Sequence, residues 1–168
     1  NTGFPQVHTT RLQSFLQNKN YGIPIFTKAM ADSFSIGDSL VVQGRLQNYH
    51  GLNEIYVESY RVYPEVNQQF TPKTLSEITA NPDQFMGMLV QGTGKIVDKG
   101  TIKNGKYLAV SINDTTSFEP KIFVSNFHNN FSAFDFDVLS IGDEITFTGA
   151  LAEYADDGGN QHYLVYLR

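Results

Sequence analysis

A cluster of basic residues is the part of this sequence best suited to binding a ligand. Four of the chain's twelve lysines and arginines lie within twelve positions, and a tyrosine directly follows the last of them. These residues are Lys95, Lys99, Lys103, Lys106 and Tyr107. Lysines neutralise phosphates, and a neighbouring aromatic ring can stack on a nucleic-acid base. The same pattern is typical of a solvated hairpin that its lysines keep soluble, and from the sequence we favour this second interpretation.

An acidic segment near the end of the chain offers oxygen ligands. Asp156 and Asp157 are followed by two glycines and an asparagine, and such a set could hold calcium. The segment lacks the spacing and the closing bidentate carboxylate of an EF-hand loop, so we predict a plain acidic hairpin without a metal. The four histidines do not cluster by spacing and form no His-Glu-x-x-His motif. They are His8, His50, His128 and His162.

No pattern in the sequence indicates catalysis. The chain has no cysteine, which excludes disulfides, thiolate metal sites and cysteine nucleophiles. It contains no Gly-x-Ser-x-Gly, phosphate-binding loop or dinucleotide fingerprint. Asp38 and Asp143 occupy equivalent turns, where an aspartate accepts local backbone N–H groups. We therefore expect a protein that is not an enzyme and needs no cofactor.

Composition favours a folded, strand-rich chain. With 168 residues, one or two small domains are expected, and 40% hydrophobic residues can build a core. Thirteen Phe and nine Tyr favour strands. The formal net charge of −5 argues against coating of nucleic acid by the whole surface, because phosphate neutralisation needs basic residues. No apolar run approaches the roughly 20 residues that span a bilayer.

One stretch occurs twice and sets the register of the chain. Residues 35–49 return as residues 140–154 at a constant offset of 105, with seven of fifteen positions identical. Each copy begins with Ser-Ile-Gly-Asp, continues with alternating apolar residues and ends in tyrosine. The period of two predicts a β-strand after a Gly-Asp turn. Two copies of one β-unit therefore make up most of the chain.

The rest of the chain fits the same two units. Thr74 and Glu77 form a capping-box pattern that predicts a short helix before the second unit. Residues 65–73 are polar and predict a linker between domains at 1–64 and 74–168. A cluster of four phenylalanines, Phe127, Phe131, Phe134 and Phe136, predicts a plug for an open barrel end. Further strands are predicted at residues 11–17, 21–26, 53–63, 88–97, 106–112, 121–124 and 161–167, with a turn region at 98–104.

The repeated pattern resembles a known family. Apolar-x-Gly-Asp-x-apolar-x-apolar-x-Gly-x-Leu-x-x-Tyr, followed by a glycine-bearing loop and a strand, is similar to bacterial OB-fold modules of secreted and cell-surface proteins, including some extracellular nucleases. Residues 36–57 and 141–165 carry the pattern, and residues 75–90 look like the helix that often precedes such a module. The resemblance implies an all-β fold of two tandem five-stranded OB-like Greek-key barrels and an extracellular or cell-surface location.

The first unit lacks a counterpart of the strand predicted at residues 88–97. Three explanations stay open: the strand precedes Asn1, residues 1–7 fill the gap, or a neighbouring subunit donates a strand. Head-to-tail donation does not close on itself and makes filaments. The residues expected to take part in such assembly are Arg11, Leu12, Phe15, Ile23 and Ile25.

Two functions follow as expectations. The preferred one is a non-catalytic structural or interaction module that self-assembles or binds another surface protein. The alternative is an accessory domain of a secreted hydrolase that binds single-stranded nucleic acid or a glycan through the basic cluster. OB-folds host many roles, so the fold does not decide between them.

Overall fold

Two β-sheets of similar design make up the protein. A computed structural model describes residues 6–8, 11–28, 34–64, 69–102, 104–112, 120–126 and 134–167. Almost all regular structure in these ranges is strand, and the longest helix, α1 (Leu75–Ile78), is a single turn. The two sheets are consecutive in the chain, and each contains one copy of the repeated stretch.

The second sheet closes into a barrel. Its strand order is β10-β11-β9-β8-β7-β6, and β10 also pairs with β7 to complete the circle. The pairings are antiparallel except those of β9 with β11 and of the short β6 with β7, which are parallel. This is the Greek-key topology of the OB-fold. The strands are β6 (Lys73–Thr74), β7 (Leu89–Ile102), β8 (Gly105–Ser111), β9 (Lys121–Ser125), β10 (Glu144–Ala155) and β11 (Gln161–Leu167).

Strand β7 serves both halves of the barrel. Its residues 89–95 pair with β10, and residues 95–102 pair with β8 across a bulge near Val97. Gly92 allows close packing at the bend, since a Cβ there would lie 2.1 Å from Cδ1 of Leu75. The turn predicted at 98–104 is wrong over residues 98–102, because polar residues on the arms of an exposed hairpin have the composition of a loop.

The barrel core combines inward-facing strand residues with α1. Leu75 and Ile78 of α1 pack among the fully buried Val90, Leu151 and Val165. The Thr74 backbone N–H donates to the Glu77 carboxylate at 2.7 Å, which confirms the helix start expected from the capping-box pattern. The helix and the chain that follows it therefore cover one end of the barrel.

The first sheet has the same strand order, and its described strands do not close into a barrel. Its order is β1-β2-β3-β5-β4, with β3 and β5 parallel, as in the second sheet. The strand that pairs with β2 in the position of β7 is the three-residue β1. The fold is thus a tandem of OB-like units, as expected, and only three described residues of the first unit occupy the place of its first strand. The strands are β1 (Gln6–His8), β2 (Arg11–Gln17), β3 (Gly22–Thr27), β4 (Ser39–Tyr49) and β5 (Leu52–Tyr63).

The two sheets share a buried joint. Phe15 of β2 packs against Tyr166, with ring centroids 5.5 Å apart, in a cluster whose other members come mainly from the second sheet. Burial raises the pKa of Tyr166 to about 12. Gly22 and Gly87 bring the backbones together, since a Cβ on Gly22 would lie 2.3 Å from the Gly87 carbonyl carbon.

Each repeated turn is held in the same way. The Asp38 carboxylate accepts the Ser35 backbone N–H at 2.7 Å, and Asp143 accepts that of Ser140 at 2.8 Å. The glycine directly before each aspartate, Gly37 or Gly142, has φ near +100°, a conformation that favours glycine. The prediction that the two aspartates serve turns is therefore confirmed.

Candidate interaction edge

The outer edge of β4 is the most distinctive surface of the protein. In the second barrel, residues 144–150 of β10 pair with residues 89–95 of β7. The offset of 105 places residues 39–45 of β4 at the equivalent positions. Among the residues that the structure describes, β4 pairs with β5 on one side and with no strand on the other. Its backbone N–H and C=O groups on that side lack strand partners there.

Leu46 shows how the lack of a described strand partner affects the exposure of a side chain on β4. It occupies the position of Leu151 in the repeat, yet Leu46 is 75% exposed and Leu151 is fully buried. The backbone of Leu151 donates to the Met88 carbonyl at 3.0 Å and accepts from the Gly87 N–H at 2.8 Å. The chain that leads into β7 therefore covers Leu151, and no described segment does the same for Leu46.

The outer edge of β4 has little of the usual protection apart from an irregularity in its pairing with β5 between Gln43 and Gly44. Proteins commonly guard edge strands with charges, prolines or bulges. Strand β4 has no acidic residue and no proline, and its one basic residue, Arg45, lies 4.9 Å from the ring centroid of Tyr56. Val41 and Tyr49 on the same strand are also largely exposed. An apolar edge of this length is a template for pairing with another strand.

The inner face of β4 is only partly packed. Leu40 and Val42 lie against a small cluster built on the buried Ile25 and Val57. The repeat places Val42 at the position of Phe147, which is buried in the closed barrel. The first unit therefore has a smaller core side chain at a position where its sheet is also open.

The residues expected to take part in assembly lie elsewhere. Phe15 and Ile25 are buried inside the chain, and the backbone of Ile23 lies against Gly87. Arg11 and Leu12 belong to β2, which is paired on both sides, by β1 and by β3. Among the described strands, the long one with an unpaired outer edge is β4. A period-two pattern shows which residues face inward, but not which strand stays unpaired.

The basic cluster is largely engaged within the chain. The Lys99 ammonium donates to the Phe136 carbonyl at 3.3 Å and also to that of Leu139, next to the 3₁₀ turn Phe136–Val138. Lys106 forms an ion pair with Asp137 at 3.5 Å. Lys103 lies outside the described residues. Lys95 is exposed on β7, and no described contact joins it to the other lysines.

Tyr107 has two partners that the spacing did not reveal. Its hydroxyl donates to Asp98 at 2.8 Å, and this hydrogen bond raises the pKa of Tyr107. The Lys121 ammonium lies 5.0 Å from the centre of the Tyr107 ring. Lys121 of β9 is therefore a basic residue close to the proposed stacking ring, although it lies outside the lysine cluster of the sequence.

The acidic hairpin is held by its own hydrogen bonds. The Asp156 carboxylate accepts backbone N–H groups of Gly158 and Asn160 at 2.9 Å, and His162 Nε2 lies 3.1 Å from it. Hydrogen bonds from the Asn160 side chain and then from His162 hold the pKa of Asp156 well below its usual range. Within the described ranges, no three His, Asp or Glu side chains form a metal-binding group. Asp157, the other predicted oxygen donor, is exposed.

Two of the four phenylalanines predicted to plug the barrel are part of its core or pack against it. Phe136 is buried in the barrel core and Phe134 packs against it, whereas Phe127 and Phe131 lie outside the described residues.

An open groove of about 570 Å³ lies between Tyr21 and the 3₁₀ turn Pro82–Phe85. In the part of the chain that the structure describes, no helix is long and apolar enough to cross a membrane.

The topology defines the protein as a tandem of OB-like units, and the comparisons with known proteins go no further. No family model matches the chain, and no curated protein matches its sequence. A solved structure described as "structural mimicry for functional antagonism" is 12% identical, with a TM-score of 0.37, over 98% of this chain and 84% of that chain.

Two fission yeast structures are similar at the same level. Pot1 with ssDNA is 12% identical, with a TM-score of 0.35, over 99% of this chain and 78% of its own. The Stn1–Ten1 complex is 13% identical, with a TM-score of 0.35, over 58% of this chain and 75% of the matched chain. Such values do not carry a function from these proteins to this one.

Proposed function

We propose that this protein is a non-catalytic structural and interaction module that joins other chains through the open edge of its first sheet. The observation that carries the proposal is the contrast between two equivalent edges. Residues 144–150 are paired with β7, and the matching residues 39–45 have no strand partner in the described part of the chain.

Strand addition is the chemistry that this edge supports. An incoming extended segment would satisfy the backbone groups of β4, and main-chain hydrogen bonds supply much of the affinity in such complexes. The segment would also cover Leu46, which is 75% exposed. If copies of this chain donate to one another head to tail, the contact does not close and the product is a filament.

A cell-surface or other extracellular setting completes the proposal. Its support is the resemblance of the repeated stretch to bacterial modules of secreted proteins. The partner is then a second copy of this chain or another surface protein. Neither the absence of a catalytic pattern nor the hydrogen bonds of the lysines conflicts with a role in assembly.

The experiment compares two exposed apolar residues of β4 that face opposite sides of the sheet. Leu46→Asp places a charge where the strand must dock, and Val41→Asp places one on the other face. We expect the purified chain to elongate on concentration, the Leu46 variant to stay monomeric and the Val41 variant to elongate normally. Electron microscopy and light scattering measure the outcome.

Hydrogen exchange on the dilute monomer provides the control. The amides of Leu40, Val42 and Leu46 should exchange fast, and those of Ile145, Phe147 and Leu151 slowly. Protection of the first set in a monomer would mean that the chain covers its own edge. The proposal would then be wrong, as it would be if both aspartate variants assembled like the parent chain.

The second candidate is binding of single-stranded nucleic acid or a glycan at the β7–β8 hairpin. OB-folds use the loop between their first two strands for such ligands, and the pairing of Lys121 with Tyr107 adds a cation to that surface. An oligonucleotide titration tests it. This function requires binding that weakens steeply with salt and is lost in Tyr107→Ala, whereas no binding at low ionic strength excludes it for nucleic acid.

A further inference from the structure

We infer that the groove between the two units binds a small aromatic anion, meaning a planar ring that carries a phosphate or a carboxylate. The groove measures about 570 Å³, within the range of roughly 300–1,000 Å³ that is typical of ligand sites. Its described lining comes from the β2–β3 hairpin, from β6 and from the chain between α1 and β7, and includes no residue of β4. This inference therefore goes beyond the proposed function and does not depend on the open edge.

The two walls of the groove are held together by close backbone contacts. Gly22, which lines the groove, lies against Gly87, and a Cβ on Gly87 would lie 2.3 Å from the backbone nitrogen of Ile23. The Leu89 N–H donates to the side-chain oxygen of Gln17 at 2.8 Å, which ties the end of β2 to the start of β7. The groove thus keeps its shape without a ligand, as most small-molecule sites do.

An exposed aromatic ring forms part of one wall. Tyr21 is 70% exposed although it lines the groove. The side-chain oxygen of Asn18 accepts the backbone N–H groups of Asn20 and Tyr21, both at 2.8 Å, so the turn that carries the ring is fixed by its own hydrogen bonds. Met86 and the buried Met88 also line the groove, and thioethers make favourable contacts with aromatic rings. A planar ligand can therefore stack on Tyr21 and contact the methionines.

Lysines from both units supply the positive charge. Lys19 of the β2–β3 hairpin and Lys73 of β6 both line the groove. Lys73 forms an ion pair with Glu77 at 3.4 Å, but exposed pairs of this kind contribute little, so a ligand can replace the carboxylate. Asp83 also lines the groove, and its carboxylate accepts the Tyr163 hydroxyl at 2.8 Å. Among the described lining residues, two ammonium groups thus outnumber one carboxylate, which favours an anion.

Phenyl phosphate tests the inference on the full chain, with inorganic phosphate and phenol as controls that each lack one half of the ligand. We expect phenyl phosphate to shift the methyl NMR signals of Met86 and Met88. It should bind about tenfold more tightly than either control, because one molecule engages both the ring and the lysines. A parallel titration with benzoate distinguishes carboxylates from phosphates, and binding of either aromatic anion supports the inference.

Two groove variants and two matched controls show whether binding occurs at this site. Tyr21→Ala should weaken binding of phenyl phosphate about tenfold, because the stacking surface is lost. Lys19→Gln should weaken it about threefold and reduce its dependence on salt. Tyr63→Ala and Lys95→Gln remove an exposed tyrosine and an exposed lysine outside the groove, and these variants should bind like the parent chain.

Several results would overturn the inference. One is that neither phenyl phosphate nor benzoate shifts the two methionine signals at millimolar concentration. Another is that phenol binds as tightly as both aromatic anions, since the lysines would then contribute nothing. Equal losses in the groove variants and the control variants would place the ligand elsewhere. Assembly is measured separately with Leu46→Asp, so the proposed function stands even if the groove binds nothing.

Discussion

The two OB-like units contain the same fifteen-residue pattern, and in one it builds a closed barrel while in the other the described strands form an open sheet. In both units the strand follows a Gly-Asp turn and leads into a hairpin, although the pairing of β4 with β5 has a register shift that the pairing of β10 with β11 lacks. What differs is the neighbour, since β7 lies against β10 and no described strand lies against the outer edge of β4. The pattern thus encodes the strand, whereas burial depends on a segment that lies outside the pattern.

The largest difference in stability should come from truncating the equivalent leucines of the two copies, Leu151 and Leu46. Leu151→Ala removes a fully buried side chain and should cost about 2–5 kcal/mol of unfolding free energy. Leu46→Ala removes an exposed one and should change it by less than about 0.5 kcal/mol. Denaturant unfolding of the monomer measures both. Similar losses for the two variants would show that Leu46 is covered in solution.

A smaller effect should come from the joint between the sheets. Gly22→Ala forces its Cβ against the backbone of Gly87, so the sheets must shift apart, at a cost of about 1–3 kcal/mol. Gly158→Ala is the matched control, because a Cβ there meets only side-chain atoms, at 3.2 Å. Unfolding curves of both variants are compared. A neutral Gly22→Ala would mean that the first sheet does not depend on its contact with the second.

The smallest effect should be a difference in how the stability contributions of two hairpins, those after β4 and β10, depend on pH. In the first unit, neutral Asn48 exchanges hydrogen bonds with the backbone of Gly51, whereas in the second the charged Asp156 holds the turn. Since hydrogen bonding lowers the pKa of Asp156, its contribution is present above its usual value of 3.8 and fades as the pH falls below that value.

Thermal unfolding between pH 2 and pH 7 measures this difference. Asp156→Ala should lower the melting temperature at pH 7 and lose most of that effect at pH 2. Asn48→Ala should give a small loss that stays constant across the same range. A constant loss for both variants would show that the charge of Asp156 does not stabilise its turn.

Much of the fold could be predicted from local patterns. Alternating apolar residues located most of the strands, and the Thr74 and Glu77 pair located α1. These features depend on residues a few positions apart, so their spacing is visible in the chain. The constant offset of the repeat also indicated which residues of the two units are equivalent.

The site could not be derived in the same way. Phe15 has the pattern of an inward residue, but nothing in its spacing shows that it packs mainly against the other sheet. The exposure of Leu46 depends on a segment that has no counterpart among the described residues. The lysine cluster looked free because its acceptors, such as the Leu139 carbonyl, lie 40 residues away in sequence. Long-range contacts determine the burial of Phe15, the exposure of Leu46 and the partners of the lysines.

The cluster around Phe15 also has a consequence for the order of folding. Its partners Phe123, Leu164 and Tyr166 lie more than one hundred residues later in the chain. Because synthesis proceeds from the N-terminus, the first sheet leaves the ribosome before the surface that buries Phe15 exists. The cluster around Phe15 therefore forms only after the second sheet has been synthesised, and until then the nascent chain exposes Phe15.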